Sequence, residues 1–310
     1  MPELPEVETI RRQLESLVVG KTISSIEVLN PGSFRADPGS LIGKTVTAVE
    51  RKGKVLIVTS SRGRAQRGRG DLNGSGPDNL YIHLKMSGRL EFVDQNISNQ
   101  SKKARPFPQR PGLSRLKHLR VAITFTDNSC LLFHDQRKFG WITDDPTVLP
   151  RGADALDPQL TPEILAEILS SSNRPIKQIL LDQSKIAGIG NIYASEMLWE
   201  AKISPWAKFR EEGRGKREEG GENQLGKFRK LPISIRKVLL EAIETGGSTM
   251  DDKLYRHVSG QTGDYWSRRR VYDREGEPCR RPACRKTNVV IQKTVIGQRS
   301  TYFCPSCQSI

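Results

Sequence analysis

The sequence has no long apolar run, and cysteines are few. Its longest apolar runs, such as residues 55–58 and 130–133, are short, whereas a membrane-spanning helix needs about 20 residues. We therefore expect no membrane span. The acidic first eight residues lack the basic and apolar regions of a secretory signal, so we expect an intracellular protein. In that reducing compartment, cysteines bind metal more often than they form disulfides.

Basic residues outnumber acidic residues in this 310-residue chain. There are 50 Lys and Arg against 35 Asp and Glu, which gives a formal net charge of +15 and a pI near 9.8. Such an excess favours a polyanionic partner, most often nucleic acid. The alternative is a charge spread evenly over the surface. Hydrophobic residues make up only 35% of the chain, so part of it is expected to be loop or disordered.

The first half of the chain reads as one helix followed by strands. Apolar residues at helical spacing predict an amphipathic helix over residues 5–18, which Gly20 ends. Short β-branched runs between turn residues predict strands at residues 22–29, 45–50, 54–59, 79–84, 89–93, 120–126 and 129–134. This order of elements indicates a β-sandwich or barrel-like domain.

The second half is mainly helical. Three prolines and the lack of a clear period indicate a linker at residues 144–160. Helices are predicted at residues 161–171, 175–183, 191–201 and 232–245. Two stretches without an apolar period, residues 61–79 and 210–227, read as surface insertions. The Arg/Gly composition of the first suits non-specific contact with nucleic acid, but a solvated loop is at least as good an interpretation of it and the better one for the second.

Four of the five cysteines form two short pairs, in the pattern Cys279-x4-Cys284-x19-Cys304-x2-Cys307. Such pairs around a strand-turn-strand segment are typical of a zinc ribbon. Four thiolates leave no open coordination position, so a structural zinc is predicted. Lys and Arg residues between the pairs indicate that this module contacts phosphates. Cys130 lies in an apolar strand and is expected in the core.

The N-terminal Pro2 and Glu3 suit amine catalysis. Once Met1 is removed, Pro2 exposes a secondary amine, and because an α-amino group titrates near pH 8, a useful fraction is unprotonated at neutral pH. Condensation with a sugar carbon gives a cationic iminium, which is an electron sink for elimination, and Glu3 is placed to act as acid or base. From spacing alone, a solvated N-terminus before a helix is the simpler interpretation.

A glycine-rich turn, Gly188-Ile-Gly-Asn191, precedes one of the predicted helices. With Asn191 as N-cap, this turn would present free backbone N–H groups to a phosphate. The signal is weak by itself, because many helices begin in this way.

Five motifs, taken in order, make the chain similar to bacterial formamidopyrimidine-DNA glycosylases. They are Pro2-Glu-Leu-Pro-Glu-Val-Glu-Thr9, His83-Leu-Lys-Met-Ser-Gly88, Asp135-Gln-Arg-Lys-Phe-Gly140, Gly188-Ile-Gly-Asn-Ile-Tyr-Ala-Ser-Glu196 and the cysteine ribbon. The resemblance implies an α+β multidomain fold, with an N-terminal β-sandwich and flanking helices, a helix–two-turns–helix DNA-binding domain and a C-terminal zinc ribbon. It places a catalytic domain at 1–143, a hinge at 144–160, the helical domain at 161–260 and the ribbon at 261–310.

The resemblance also implies base-excision repair of damaged double-stranded DNA. Oxidised purines, chiefly 8-oxoguanine and formamidopyrimidines, would be excised from a nucleotide that has left the stack. The abasic strand would then be cleaved by β,δ-elimination. The resemblance further implies a monomer of the cytoplasm and nucleoid, with one structural Zn²⁺ and no organic cofactor.

Motif positions assign the catalytic residues by resemblance. Pro2 would attack C1′ and form the Schiff base, and Glu3 would help to open the sugar and move protons. Lys54 matches a catalytic lysine near the base and phosphate. Arg299 matches a ribbon arginine that grips the phosphate and assists elimination.

The resemblance also assigns DNA contacts and metal ligands. Met86, Arg137 and Phe139 match a trio that wedges the stack, fills the gap and reads the orphaned base. Further residues match positions that hold the DNA backbone or the zinc, namely His83, His118 and Asn191 for the backbone and Cys279, Cys284, Cys304 and Cys307 for the zinc.

Two departures leave alternatives open. The x4 spacing of the first cysteine pair is wider than the family's x2, which leaves the local geometry of the ribbon open. Residues 250–270 diverge from the family, so the lesion preference is not fixed. One alternative is an endonuclease VIII-like glycosylase for oxidised pyrimidines, against which Leu4 and the intercalating trio argue. The other is a non-catalytic damage-binding protein, against which the retention of Pro2, Glu3, Lys54 and Arg299 argues.

Overall fold

The computed structural model describes residues 2–62, 78–94, 116–209, 224–252 and 254–308. The chain forms two compact units, each built from two segments: Met1–Leu149 with Gly246–Asp264, and Pro150–Thr245 with Tyr265–Ile310. The two units are defined by which parts of the chain pack together and do not mark the ends of domains, so the predicted domain boundaries stay a prediction. The larger part of each predicted insertion, at residues 61–79 and 210–227, lies outside the described residues. No helix within the described ranges is long and apolar enough to cross a membrane.

The first unit contains two β-sheets. Its strands are β1 (Ile23–Val28), β2 (Phe34–Arg35), β3 (Thr45–Lys52), β4 (Val55–Ser61), β5 (Asp78–His83), β6 (Gly88–Val93), β7 (Leu119–Phe125), β8 (Cys130–Asp135) and β9 (Trp141–Thr143). The five-stranded sheet has the order β2-β9-β5-β4-β3, with only the β2–β9 pair parallel. The four-stranded sheet has the order β1-β7-β8-β6 and is antiparallel.

One apolar cluster joins the two sheets. Leu56 and Ile82 enter it from the five-stranded sheet, and Val121 and Phe133 enter it from the four-stranded sheet. A β-sheet with one apolar face must bury that face against another layer, and here the second sheet supplies it. The predicted β-sandwich is therefore confirmed.

Helix α1 (Leu4–Val18) packs against this core. Val7, Ile10 and Leu14 recur at helical spacing and are at most 1% exposed, so the apolar stripe in the sequence is the buried face. The helix ends where predicted: Gly20 has a φ of 86°, which glycine adopts without strain, and its N–H bonds the Val46 carbonyl. A short helix, α2 (Pro38–Leu41), follows β2 and was not predicted.

The segment Gly246–Asp264 belongs to the first unit although it lies about 100 residues beyond the rest of that unit. Tyr255 and Val258 enter the apolar core. The Val258 N–H donates to Gln13 Oε1 at 2.9 Å, and the Val258 carbonyl accepts from the Phe92 N–H at 3.3 Å. These contacts anchor the segment to α1 and to the edge strand β6.

The second unit is helical and ends in a β-hairpin. Its elements are β10 (Ala153–Asp154), α3 (Pro162–Ser170), α4 (Ile176–Leu181), β11 (Ile186–Ala187), α5 (Asn191–Glu200), α6 (Gln224–Glu244), α7 (Tyr265–Arg268), α8 (Pro282–Lys286), β12 (Gln292–Ile296) and β13 (Arg299–Phe303). Thr161 caps α3 through a bond from the Ile164 N–H, with Pro162 in the first turn as expected. β10 pairs in parallel with β11, so part of the predicted linker is packed.

Helix α6 begins eight residues earlier than the predicted start at residue 232. Pro232 suggests a helix start because proline suits a first turn, but it lies inside this helix. The predicted helices at 161–171, 175–183 and 191–201 agree with α3, α4 and α5 to within two residues at each end.

Candidate active site and metal centre

Pro2 and Glu3 lie at the N-terminus of α1, and both are buried. Glu3 is the N-cap of the helix in a capping box with Glu6. The Glu3 N–H donates to Glu6 Oε2 at 2.8 Å. The backbone that carries the predicted nucleophile and acid/base is thus fixed by a carboxylate one turn further along the helix.

Glu6 also holds the returning segment. Its Oε1 accepts the Ser248 N–H at 2.7 Å, and the side chain is only 1% exposed. Gly247, with a φ of 82°, lies against this carboxylate so closely that a Cβ there would stand 2.9 Å from Oε1. Burial, together with the charge of Glu6, raises the pKa of Tyr255 well above its usual value. Sequence reasoning did not single out Glu6 as a site residue.

Lys54 lies in the two-residue turn between β3 and β4, and it is only 9% exposed. Gly53 precedes it with a φ of 59°, in the left-handed region that favours glycine. The Gly53 carbonyl accepts from Arg51 Nη1 at 2.8 Å. A surface lysine at a strand start would be exposed, whereas this turn holds Lys54 inward.

A charge cluster ties that turn to α1. Arg51 Nε lies 3.2 Å from Glu8 Oε2, and its side chain is only 7% exposed. Arg11 and Arg12 also contact Glu8, at 3.0 and 2.9 Å. Burial raises the pKa of Glu8, but the hydrogen bonds and charges of the arginines outweigh burial and lower it overall. The cluster therefore runs from α1 through Arg51 to the turn that carries Lys54.

His83 ends β5, in register with Val55, the residue after Lys54. Its Nδ1 accepts the Lys85 N–H at 2.9 Å, and Lys85 has a left-handed φ of 52°. Burial and the charges of Lys85 and Lys54 lower the pKa of His83 to about 3. The ring is therefore neutral at physiological pH, with its proton on Nε2, which leaves Nε2–H as a donor for a phosphate oxygen.

The predicted intercalating residues lie on two turns of the first unit. Met86 is 38% exposed and Phe139 is 54% exposed, unlike the apolar core. The Arg137 guanidinium lies 5.1 Å from the centre of the Phe139 ring. Exposed apolar side chains of this size are available to contact a partner.

A fully buried carboxylate, Asp135, joins these two turns. Its Oδ1 accepts from Ser87 Oγ at 2.5 Å and from the Arg137 N–H at 3.1 Å, and its Oδ2 accepts from the Gly140 N–H at 2.6 Å. The Asp135 N–H donates to the carbonyl of His118, which has a φ of 66°. Asp135 opens one of the sequence motifs, but sequence reasoning gave it no role.

The second unit brings Asn191 to the β12–β13 hairpin. The turn residues Gly297 and Gln298 have φ values of 56° and 63°, as a type I′ turn requires, and exposed Arg299 follows them. Asn191 Nδ2 donates to the Ser300 carbonyl at 3.0 Å. The expectation that Asn191 is the N-cap is wrong: Gly190 is the N-cap, and the Asn191 side chain is bound to the hairpin instead.

A buried lysine also supports this hairpin. Lys177 is fully buried, and its Nζ donates to the Ser300 carbonyl at 2.9 Å and to Thr301 Oγ1 at 2.8 Å. A buried ammonium needs such acceptors in place of water. Lys177 is a positioning residue that the sequence alone did not reveal, because its partners lie more than 120 residues away.

The four predicted zinc ligands converge in the second unit. The sulfur atoms of Cys279, Cys284, Cys304 and Cys307 all lie within 4.8 Å of one another. Four sulfur donors without a water position match a closed tetrahedral zinc site. These cysteines would therefore hold one structural zinc, and the x4 spacing of the first pair does not prevent their convergence.

Comparison with known families identifies all three parts of the chain. Residues 1–142 match the formamidopyrimidine-DNA glycosylase N-terminal domain, and residues 151–253 match the formamidopyrimidine-DNA glycosylase H2TH domain. Residues 276–310 match the zinc finger found in FPG and IleRS. The last match agrees with the cysteine cluster and assigns it as a structural zinc site.

Individual relatives match along the whole chain. A formamidopyrimidine-DNA glycosylase of Symbiobacterium thermophilum is 36% identical, over 100% of this chain and 90% of its own length. One from an Exiguobacterium species is 37% identical, over 99% of both.

Solved structures give the same result. A Thermus thermophilus protein is 33% identical with a TM-score of 0.74, over 99% of this chain and 98% of its own. A Lactococcus lactis protein bound to DNA with an abasic site is 30% identical with a TM-score of 0.74, over 100% of both chains. The chain therefore belongs to the formamidopyrimidine-DNA glycosylase family.

Proposed function

We propose that this chain performs base-excision repair, removing oxidised purines from double-stranded DNA and then cleaving the abasic strand. The observation that carries the proposal is the buried Pro2–Glu3 pair, held at the start of α1 by Glu6. The family's name supports glycosylase activity. Complexes of a Lactococcus lactis relative with damaged DNA support DNA as the partner.

Pro2 acts as the nucleophile once Met1 is removed. Its amine attacks C1′ of the damaged nucleotide, and the base leaves with the electron pair of the glycosidic bond. As the iminium forms, the amine loses its proton and the ring oxygen gains one, an exchange for which Glu3 is placed. The iminium then accepts electrons while the 3′ and 5′ phosphates leave by β- and δ-elimination.

Two cations, Lys54 and Arg299, assist the reaction. Lys54 is held inward by its turn and acts near the base and a phosphate. Arg299 is exposed next to the type I′ turn of the ribbon hairpin, where it grips a phosphate and assists the elimination. Both act on charge that develops as the phosphates leave.

Three exposed side chains give access to the lesion. Phe139 wedges a base step, Met86 fills the space of the flipped nucleotide, and Arg137 reads the base opposite. Their exposure and the rigid turns built on Asp135 support this role. The DNA backbone is held by His83, through its Nε2–H, and by His118 and Asn191.

We further propose a monomer that acts in the cytoplasm and nucleoid, without a membrane partner. The family resemblance supports this assignment. Light scattering on the zinc-loaded protein would give the mass of one chain, and a dimer mass would contradict it.

Excision assays on defined duplexes test the proposed function. The substrates are 8-oxoguanine opposite cytosine, an oxidised pyrimidine and an undamaged duplex. We expect the wild type to excise 8-oxoguanine fastest, and Glu3→Gln to lose about 10²- to 10⁴-fold, the usual contribution of an acid/base group. Glu15→Gln, on the exposed face of the same helix, is the control and should act as the wild type does.

The other outcomes identify other functions. Faster excision of the pyrimidine would assign an endonuclease VIII-like specificity instead. Zinc-loaded protein that lacks Met1, binds the lesion duplex and excises neither base would be a damage-binding protein without catalysis.

A further inference from the structure

The wide spacing of the first cysteine pair places an arginine against helix α5. Arg281 lies between Cys279 and Cys284 and is the N-cap of the short helix α8. Its Nη2 donates to the carbonyls of Trp199, at 2.6 Å, and Glu200, at 3.0 Å. These carbonyls belong to the last turn of α5.

The end of a helix is a favourable place for this guanidinium. The last four carbonyls of a helix have no partner within it, and they form the negative end of the helix dipole. The Arg281 guanidinium also lies 4.1 Å from the centre of the Trp199 ring. A planar guanidinium can stack on an indole while it donates at its edge, which a lysine ammonium cannot do.

Trp199 in turn reaches a zinc ligand. Its side chain is 6% exposed and packs in one apolar cluster with Cys279, Cys284 and Tyr302. The indole Nε1–H donates to Cys279 Sγ at 3.5 Å. Partners that hydrogen-bond a metal ligand fix its orientation, and their loss commonly weakens the retention of the metal.

We propose that Trp199 and Arg281 form an outer shell of the zinc site that locks the Cys279–Cys284 segment onto the C-terminus of α5 and retains the metal. The N-terminus of the same helix holds the β12–β13 hairpin through Asn191 and Ser300. Both ends of helix α5 therefore contact the ribbon. The proposal rests on the zinc site and not on the excision chemistry.

Zinc release from the full-length, zinc-loaded protein tests this role. The rate is followed by the colour of a chelating dye, 4-(2-pyridylazo)resorcinol, without DNA. Trp199→Phe keeps a ring for Arg281 but loses the N–H, and Arg281→Ala loses both the stack and the bonds to the helix end. Each variant should release zinc about tenfold or more faster, the usual effect of losing an outer-shell partner. Arg281→Lys should recover only part of the loss.

Arg280→Ala is the matched control. Arg280 lies in the same spacer, but it donates to the carbonyls of Ser267 and Arg268. Its loss should leave zinc release unchanged. Wild-type release from both Trp199→Phe and Arg281→Ala would overturn the proposal, as would equal acceleration by Arg280→Ala. If Trp199→Phe fails to fold, the rates of zinc release from Arg281→Ala and Arg281→Lys decide whether the proposal holds. Because no DNA is present, failure of the proposed excision would not affect this result.

Discussion

At the residue scale, burial fixes the protonation state of His83. Its pKa is lowered to about 3 by burial and by two nearby lysine charges. The unfolded chain binds a proton at this ring below about pH 6.5, whereas the folded protein does not until about pH 3. The free energy of unfolding therefore has its full value with respect to this ring above pH 6.5, and it decreases as the pH falls from 6.5 to 3.

Replacing His83 with glutamine should reduce the acid sensitivity of the fold. Glutamine can still accept from the Lys85 N–H but does not titrate. Between pH 7.5 and 5, the free energy of unfolding should fall by roughly 2 kcal/mol less in the variant than in the wild type. Urea unfolding at the two pH values measures the difference. Equal losses in both proteins would contradict the neutral histidine.

Replacing Asp135 with asparagine should loosen the two turns that carry Met86 and Phe139. Asp135→Asn replaces an acceptor oxygen with an NH₂ group that faces an O–H or N–H donor, which should destabilise the fold by about 1–3 kcal/mol. Because both turns loosen, preference for a lesion duplex over an undamaged one should shrink in equilibrium binding.

A matched control separates stability from binding in that experiment. Asp127 binds Ser129 in the β7–β8 turn and does not support Met86 or Phe139. Asp127→Asn should therefore keep the lesion preference. If Asp135→Asn binds the lesion as the wild type does, the link between the two turns has no role in recognition.

Single residues were predictable where the pattern is local. Met86 and Phe139 are apolar residues in polar, glycine-bounded turns, and both are exposed. Glu6 was not predictable as a support, because its partner Ser248 is 242 residues away in the sequence. A carboxylate on a helix gives no local sign of such a contact.

At the element scale, the β3–β4 hairpin is positioned by α1. Arg51 bonds both Glu8 on the helix and the Gly53 carbonyl in the turn. The turn could be predicted from Gly53 and the flanking strands. Its tie to the helix could not, because the pairing of Glu8 with Arg51 depends on how the two elements pack.

Substitution of Arg51 should displace Lys54. For Arg51→Met we expect kcat for excision to fall about ten- to a hundredfold, the effect of a displacement near 1 Å, with KM little changed. Arg51→Lys should recover part of the rate. Arg12→Met is the control, because Arg12 also pairs with Glu8 but has a half-exposed side chain and no bond to the turn. Equal effects of the two methionine variants would mean that Arg51 acts only through Glu8.

At the scale of the whole molecule, the net charge of +15 predicted a polyanionic partner, and the family agrees. The sequence did not predict which segments of the chain make up each of the two units. Tyr255 and Val258 join the core of the N-terminal sandwich, yet their segment follows the helices of the second unit. The sequence shows periodicity within segments but not which distant segments share a core.

Removal of zinc should unfold the ribbon and weaken DNA binding. Three buried members of the ribbon's small apolar cluster, Cys279, Cys284 and Cys304, are zinc ligands, so loss of the metal removes the bonds that join the two cysteine pairs. We expect a lower melting temperature, weaker binding and a shallower salt dependence, because the phosphate contacts proposed for the ribbon, such as that of Arg299, would be lost. Added Zn²⁺ should restore all three, and Mg²⁺, which prefers oxygen ligands, should not. Unchanged binding by the metal-free protein would contradict this role.

The most direct test of the central claim is borohydride trapping on a duplex with 8-oxoguanine opposite cytosine. Reduction of the iminium leaves a stable bond between the protein and the sugar, and peptide mass mapping locates it. We predict an adduct on the nitrogen of Pro2 in protein that lacks Met1, and its persistence in Lys54→Gln. An adduct on Lys54, or none at all in active zinc-loaded protein, would contradict the assignment of Pro2 as the nucleophile.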